Sequence, residues 1–480
     1  MSENKGNTAA KASVGYMIGN YCIKGIGFIT VPIFARLLST SDFGIYNTFL
    51  AYEGILYIFI SLALHSSVKN AKYKFEGEID KYTSSIAILP VIAAFVFLVA
   101  AVVFGEPLGG LLKIDGACIV LLVLYSYCSG LVILYQSRIA LDYNYKEYLG
   151  MSVFNVLFSV GMSILLICTV FSGQRYMGRI LGGTAAYVLL AVYISIKIIK
   201  KAPPRVNKEY WKYGLKISLP IIPHGLSQIL LLQFDRIMIN SMIGSSQAGL
   251  YSFSYTIFSL VQITASSLDT VYSPWVFRQM KGEDNKNSIK AVGTCFMLLI
   301  AGVVTAVMLL APEIILLLGG EKYTESFVCL LPVLVSGFFA MAYCIPSVME
   351  YYYEKTKYIA LGTTLAAVIN IILNAVFIPR FGYVAAAYTT LVSYLLYFLL
   401  HTVISRKLSG FFVIGIPYLI GAVIIISSAS VTAYVFRYLL WARAAALGVL
   451  VCIGIAMIIS AYGKERSLEM LRSLGKKGKN

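Results

Sequence analysis

Asn20, Lys24, Arg36, Glu53, Gln233, Asp235, Arg236 and Asp269 each fall inside, or at the end of, a long apolar run. Ionisable groups at membrane depth are costly, and they usually face a cavity or a partner rather than lipid. Lys24 lies about ten residues into the first run, ~15 Å deep at 1.5 Å per residue, near the midplane of a ~30 Å core. Such a cation can hold an anionic group of a cargo or pair with Glu53, which lies at similar depth in the second run. Glu53 is then either a carrier of a coupling proton or a fixed counter-ion. Asp235 and Arg236 are neighbours on a helix, so their side chains point about 100° apart and cannot simply pair with each other. Asp269 is a further embedded carboxylate and a partner for Arg236 or Lys24. Arg36, at an outer helix end, reads equally as an interfacial anchor and as a cargo contact. Asn20, Gln228 and Gln233 can hydrogen-bond hydroxyls or join helices, and His224, beside Pro223, reads as a satisfied core histidine.

These side chains must be positioned by helices that cross lipid. The chain has 480 residues, 59% hydrophobic and only 13% charged, against roughly a quarter charged in a soluble domain. The formal net charge of +17 does not indicate nucleic acid, because the basic residues sit between apolar spans. The eight cysteines lie in apolar runs with no CxxC pair and read as small buried side chains. Three histidines argue against a His-based metal or catalytic centre, and no catalytic residue, metal ligand or cofactor site is expected. The first dozen residues are polar and the run after them lacks a cleavage pattern, so the first span is expected to remain.

A window of about 20 apolar residues gives fourteen candidate spans, at 14–37, 43–66, 83–105, 116–137, 148–171, 177–199, 213–240, 248–272, 289–311, 326–349, 358–378, 383–404, 411–435 and 443–462. With the N-terminus inside, the inner segments carry 29 of the 39 Lys and Arg, the outer segments and span ends 9, and Lys24 is the last. That bias supports the span count and places both termini in the cytoplasm. Part of the inner charge can touch anionic headgroups. Pro220 and Pro223 interrupt the seventh span, and breaks of this kind are tolerated where a helix lines a cavity or a protein partner.

Leu38-Ser39-Thr40-Ser41-Asp42-Phe43-Gly44-Ile45-Tyr46 is echoed by Ile243-Gly244-Ser245-Ser246-Gln247-Ala248-Gly249-Leu250-Tyr251, 205 residues later. A second echo joins Tyr143–Tyr148 to Tyr352–Tyr358. The expected architecture is therefore all-α and polytopic. Two six-helix parallel repeats, an N-lobe at 1–200 and a C-lobe at 213–405, surround a central cavity. A cytoplasmic linker at 201–212 joins them, and two extra helices with a basic tail occupy 406–480.

Ala35-Arg36-Leu37-Leu38 through Tyr46, Phe234-Asp235-Arg236 through Tyr251, Gly320-Glu321-Lys322-Tyr323, and Asn370 through Pro379-Arg380-Phe381-Gly382-Tyr383-Val384-Ala385-Ala386-Ala387 together resemble the Wzx-type oligosaccharide flippases. These flippases share a superfamily, called MOP, with the lipid II flippase MurJ and the MATE drug exporters. The likeness covers about residues 10–405. It implies a flippase that moves a lipid-linked (undecaprenyl diphosphate) oligosaccharide repeat unit across a bacterial inner membrane by alternating access, for O-antigen or capsule assembly. It implies substrate contacts from Lys24, Arg36, Arg236, Asn20 and Gln233, with Glu53, Asp235 and Asp269 as coupling or charge-pair residues. No cofactor is implied beyond coupling to an H+ or Na+ gradient. The implied partners are the lipid-linked oligosaccharide, membrane lipids, and a polysaccharide polymerase and glycosyltransferases; nucleic acid is excluded. Alternatives are a lipid II flippase and a cation-coupled drug exporter, whose cationic cargo suits a more acidic site. A membrane polymerase is disfavoured, because no large loop carries paired acid and base residues.

Overall fold

Inside hydrocarbon a backbone must satisfy its own hydrogen bonds, so long apolar runs fold as helices. The computed structural model describes residues 28–282 and 285–477 and the isolated positions 19 and 25, with side chains as far as residue 463. Among the described residues there is helix and no strand. The chain divides into two compact units, Met1–Gly249 and Leu250–Asn480.

The first unit holds α1 (Phe28–Leu37), α2 (Thr40–Ser61), α3 (His65–Lys74), α4 (Ile79–Ile86), α5 (Ile88–Val103), α6 (Gly105–Leu112), α7 (Gly116–Ala140), α8 (Tyr145–Thr169), α9 (Arg175–Lys201), α10 (Lys208–Ser218) and α11 (Ile222–Met242). The helix α12 (Ser245–Gln279) begins there and continues into the second unit. That unit holds α13 (Lys286–Leu309), α14 (Ala311–Leu318), α15 (Ser326–Ala342), α16 (Cys344–Tyr352), α17 (Thr356–Phe381), α18 (Tyr383–Ser409), α19 (Ile416–Val435) and α20 (Leu440–Lys477).

Twelve helical segments among the described residues are long and apolar enough to cross a membrane, against the fourteen expected. The first expected span is described as a continuous helix only over its last ten residues, Phe28–Leu37. The eighth forms most of α12, a single helix of 35 residues. Its run of Ser and Thr hydroxyls, with Gln262 and Asp269, lowers its hydropathy below that of the other spans. Cys168 and Cys452 also depart from expectation: both are exposed, on helix faces that a bilayer would cover.

Helix starts follow local chemistry. Ser39 and Asp42 form a capping box on α2, with Ser39 Oγ accepting from the Asp42 N–H at 3.0 Å and Asp42 Oδ2 accepting from the Ser39 N–H at 3.2 Å, which satisfies donors a helix start leaves open. Asp115, Asn144 and Asn207 cap α7, α8 and α10 in the same sense. The prolines at 220 and 223 act as expected: a 3-10 turn at Leu219–Ile221 separates α10 from α11.

The two echoing segments meet within the first unit. Thr40 Oγ1 lies 2.8 Å from Ser246 Oγ, and Ser41 Oγ lies 2.6 Å from Ser245 Oγ. A Cβ on Gly44 would overlap the Ser245 carbonyl oxygen, and one on Gly249 would overlap the Thr40 carbonyl oxygen. Only glycine lets the two helix starts approach this closely. At the other end, Arg138, 5% exposed, donates to Asp80 at 2.9 Å and Asp142 at 2.6 Å, and Lys72 donates to the Leu141 carbonyl at 2.6 Å. Part of the inner basic charge therefore ties helix ends together. Tyr210 and Lys81 both donate to Glu78, at 2.6 and 2.9 Å, and hold its carboxyl below the usual carboxylate range.

Candidate functional site

In the first unit, α2, α7 and α9 pack together and α11 lies on α2. Glu53 of α2 is partly exposed, and its Oε1 accepts from Ser129 of α7 at 2.6 Å. Tyr125 and Tyr187 stand beside it with ring centroids 4.8 Å apart. The Tyr125 hydroxyl lies within electrostatic range of Glu53, Tyr46, Tyr187 and Arg179. Arg179 of α9 stacks its guanidinium over Phe34 and Tyr46, 3.8 and 5.0 Å from the ring centroids, and donates to Ser159 at 3.3 Å and Ser163 at 3.0 Å. A carboxylate, three phenols and a guanidinium are thus neighbours in the packing of α2, α7 and α9. This set can hydrogen-bond hydroxyls, stack on rings and meet an anion.

Gln233 of α11 reaches α2 beside Glu53: a Cβ on Gly54 would lie 3.5 Å from its Nε2. Asp235 is buried at 1% exposure, while Arg236 is partly exposed and donates to the Leu232 carbonyl at 3.0 Å. Arg36 is exposed on α1. Asp269 lies in the second unit and accepts from Ser273 at 2.8 Å. Asn20 and Lys24 lie outside the described residues, so the pairing of Lys24 with Glu53 has no geometry to report. His224, read as a satisfied core histidine, has a buried Nδ1 without a partner among the described residues.

Arg179, Tyr125, Tyr187 and Ser129 escaped the sequence reading. Arg179 stands near the start of its span, where it counts as outer-end charge. Tyrosine is too abundant, at 35 residues, to single out two. The signal for Arg179 was the small residues opposite it, Ser159 and Ser163, one turn apart on α8.

The second unit has its own buried polar groups. Asn370 and Asn374 of α17 join Thr389 and Thr390 of α18: Asn370 Nδ2 donates to Thr390 at 2.9 Å, Asn374 Nδ2 donates to Asn370 Oδ1 at 3.1 Å, and Thr389 donates to Asn374. Arg443 of α20, 2% exposed, donates to the Leu309 carbonyl and to Glu313 Oε2, both at 2.6 Å. This ties the start of α20 to the end of α13 and the start of α14, and α19 and α20 both pack on α13. Glu350 of α16 and His401 of α18, both with fully buried side chains, meet at 2.6 Å between Oε1 and Nδ1.

The pattern of the family described as "Polysaccharide biosynthesis protein" matches residues 10–280, more than half of the chain. The chain belongs to this polysaccharide biosynthesis family. It is 24% identical over 417 residues to a protein of Haloferax volcanii described as "Probable low-salt glycan biosynthesis flippase Agl15", covering 85% of each chain. It is 23% identical over 419 residues to a membrane protein of Methanocaldococcus jannaschii, covering 81% of this chain and 96% of that one. Among solved structures, the fold of this family member is similar to that of the lipid II flippase MurJ in an inward closed conformation. The TM-score is 0.73 at 15% identity, covering 96% and 99% of the two chains. An inward-facing MATE multidrug transporter of the MOP superfamily superposes with a TM-score of 0.57 at 15% identity, covering 80% and 98%. The family member is thus an all-helical, multi-pass membrane protein with a MurJ-like fold, as its sequence led us to expect.

Proposed function

We propose that the protein flips a lipid-linked oligosaccharide repeat unit, carried on undecaprenyl diphosphate, from the inner to the outer face of the cytoplasmic membrane by alternating access. Membership of the polysaccharide biosynthesis family, with a glycan flippase relative over 85% of both chains, carries this reading. The chemistry of the first unit is compatible with it. A sugar diphosphate head entering hydrocarbon loses water and gains nothing. The partly exposed Glu53, the phenols near it, Arg179 and Gln233 offer replacement hydrogen bonds, ring faces and positive charge. Alternation requires two conformations close in free energy, biased by cargo or an ion. The excess of Lys and Arg on one set of connections supports cytoplasmic termini. A polymerase and glycosyltransferases are the partners this cargo requires.

Inverted membrane vesicles containing the protein should move an undecaprenyl-linked glycan of the same cell into their lumen, and vesicles lacking it should not. Equal glycan movement in both would refute the reading. Arg236→Ala and Lys24→Ala should each abolish export with normal membrane insertion; unchanged export would remove those residues from the cargo path.

A further inference from the structure

Outside the cluster around Glu53, Glu350 and His401 form a fully buried ionisable pair. Both side chains are 0% exposed. One hydrogen bond, Nδ1 to Oε1 at 2.6 Å, joins them, and the other two polar atoms, Glu350 Oε2 and His401 Nε2, have no partner among the described residues. A purely structural pair would normally have its remaining lone pair and N–H satisfied. Nε2 instead faces Gly362 of α17, where a Cβ would come within 2.8 Å of it. Among the described residues no basic side chain forms an ion pair with Glu350 other than His401. Tyr397 of α18 stands edge-on to the imidazole at 4.4 Å and is hydrogen-bonded to Thr363 of α17 at 3.0 Å. Tyr343, between α15 and α16, lies 5.7 Å from the imidazole. Tyr351 of α16 is in electrostatic range of Glu350, of Cys344 and of Asp269 on α12. The pair is also close to an exit. α16 ends at Tyr352, and the Lys355 N–H donates to the Glu350 carbonyl at 2.7 Å in the basic turn that follows.

We propose that the Glu350–His401 pair is a proton-binding site that couples protonation to the transport cycle. One proton shared between Oε1 and Nδ1 leaves the pair with no net charge, which suits the sealed packing of α16, α17 and α18. Loss of that proton to water leaves a glutamate anion beside a neutral imidazole. A net negative charge in this apolar setting is expensive, so the deprotonated pair favours a conformation in which α16 and α18 part and water reaches Oε2. Rebinding of a proton from water restores the neutral pair and the closed packing. Bound proton and closed helices are thus linked, and linkage of this kind lets a proton gradient bias a two-state transporter. The coupling role rests on the transporter reading above; the linkage between protonation and opening does not.

The test uses the full-length protein in lipid nanodiscs without cargo. Hydrogen exchange of the segments around 344–355 and 397–409, corrected for intrinsic rates, is followed between about pH 5 and pH 8. In the wild type, opening of both segments should increase about tenfold toward alkaline pH. Glu350→Gln/His401→Gln, which keeps hydrogen-bonding groups and removes both titratable ones, should flatten the profile. If that variant fails to fold, the paired apolar replacement Glu350→Met/His401→Leu, a kind of change that buried pairs often tolerate, should give a folded protein with the same flat profile. A wild type without pH dependence, or variants that keep it, would overturn the proposal. Glycan movement in vesicles that ignores an imposed pH gradient would overturn the coupling role while leaving the flippase reading intact. pH-linked opening without glycan movement would leave the proton site standing and remove the cargo assignment.

Discussion

Glu53 and Glu350 are both carboxylates inside membrane spans, one in each unit, and they are held in opposite ways. Glu53 is partly exposed, takes a single hydrogen bond among the described residues, from a hydroxyl, and shares its surroundings with phenols and Arg179. Glu350 is sealed, bound to an imidazole, and surrounded by rings and a glycine. A group that must meet a changing cargo benefits from exposure and weak local commitments. A group that must hold a proton benefits from a dry site, where one unit of charge changes the energy of the packing. Under the proposals above, the first serves recognition and the second switching.

The sharpest way to break this comparison is to remove one partner of the sealed pair without replacement. Glu350→Leu leaves His401 buried beside apolar atoms and should cost about 3–5 kcal/mol, the range for breaking a buried pair, read as a large drop in melting temperature in detergent. Glu53→Gln should leave that temperature nearly unchanged while reducing glycan export. Equal stability losses would erase the distinction. A smaller contrast comes from the two neighbouring glycines. Gly362→Ala drives a methyl to 2.8 Å from His401 Nε2 and should destabilise by about 1–3 kcal/mol as overpacking. Gly54→Ala places its methyl 3.3 Å from Ile229 and 3.5 Å from Gln233, and those side chains can shift, so its melting temperature should stay close to that of the wild type.

Smaller again, Ser129→Ala removes the hydrogen bond to Glu53 at a cost of about 1 kcal/mol. Export should fall more than stability, measured as polymer at the cell surface against folded protein in the membrane. Glu313, a carboxylate outside the spans, supplies a control for both through its pH dependence. Its hydrogen bonds from Arg443 hold its carboxyl below the ordinary value. The folded state therefore binds that proton less readily than the unfolded chain. The stability it contributes is present above the ordinary carboxylate range and is lost as pH falls below it. Glu313→Gln should therefore melt somewhat below the wild type at neutral pH, and the two melting curves should converge in acid.

How far each site was legible depended on distance along the chain. Glu53, Gln233 and the Asp235-Arg236 pair were visible because an isolated polar residue in an apolar run is conspicuous without knowing its neighbours. Glu350 fell one residue beyond the tenth expected span, and looked like the polar end of a helix. His401 looked like one of three scattered histidines. Nothing local joins residues 51 positions apart; the packing of α16 against α18 does. Arg179 was hidden for the same reason, since Phe34, Tyr46, Ser159 and Ser163 come to it from three other helices.

Hydropathy alone determined that this chain folds as membrane helices, because lipid leaves the backbone no other way to satisfy its hydrogen bonds. Prolines and capping residues then placed the breaks and starts, since their effects act within one turn. Only the tertiary structure decided which polar residues share a site, which carboxylate stays accessible and which is sealed. Burial and partner choice are properties of helices brought together from distant parts of the chain.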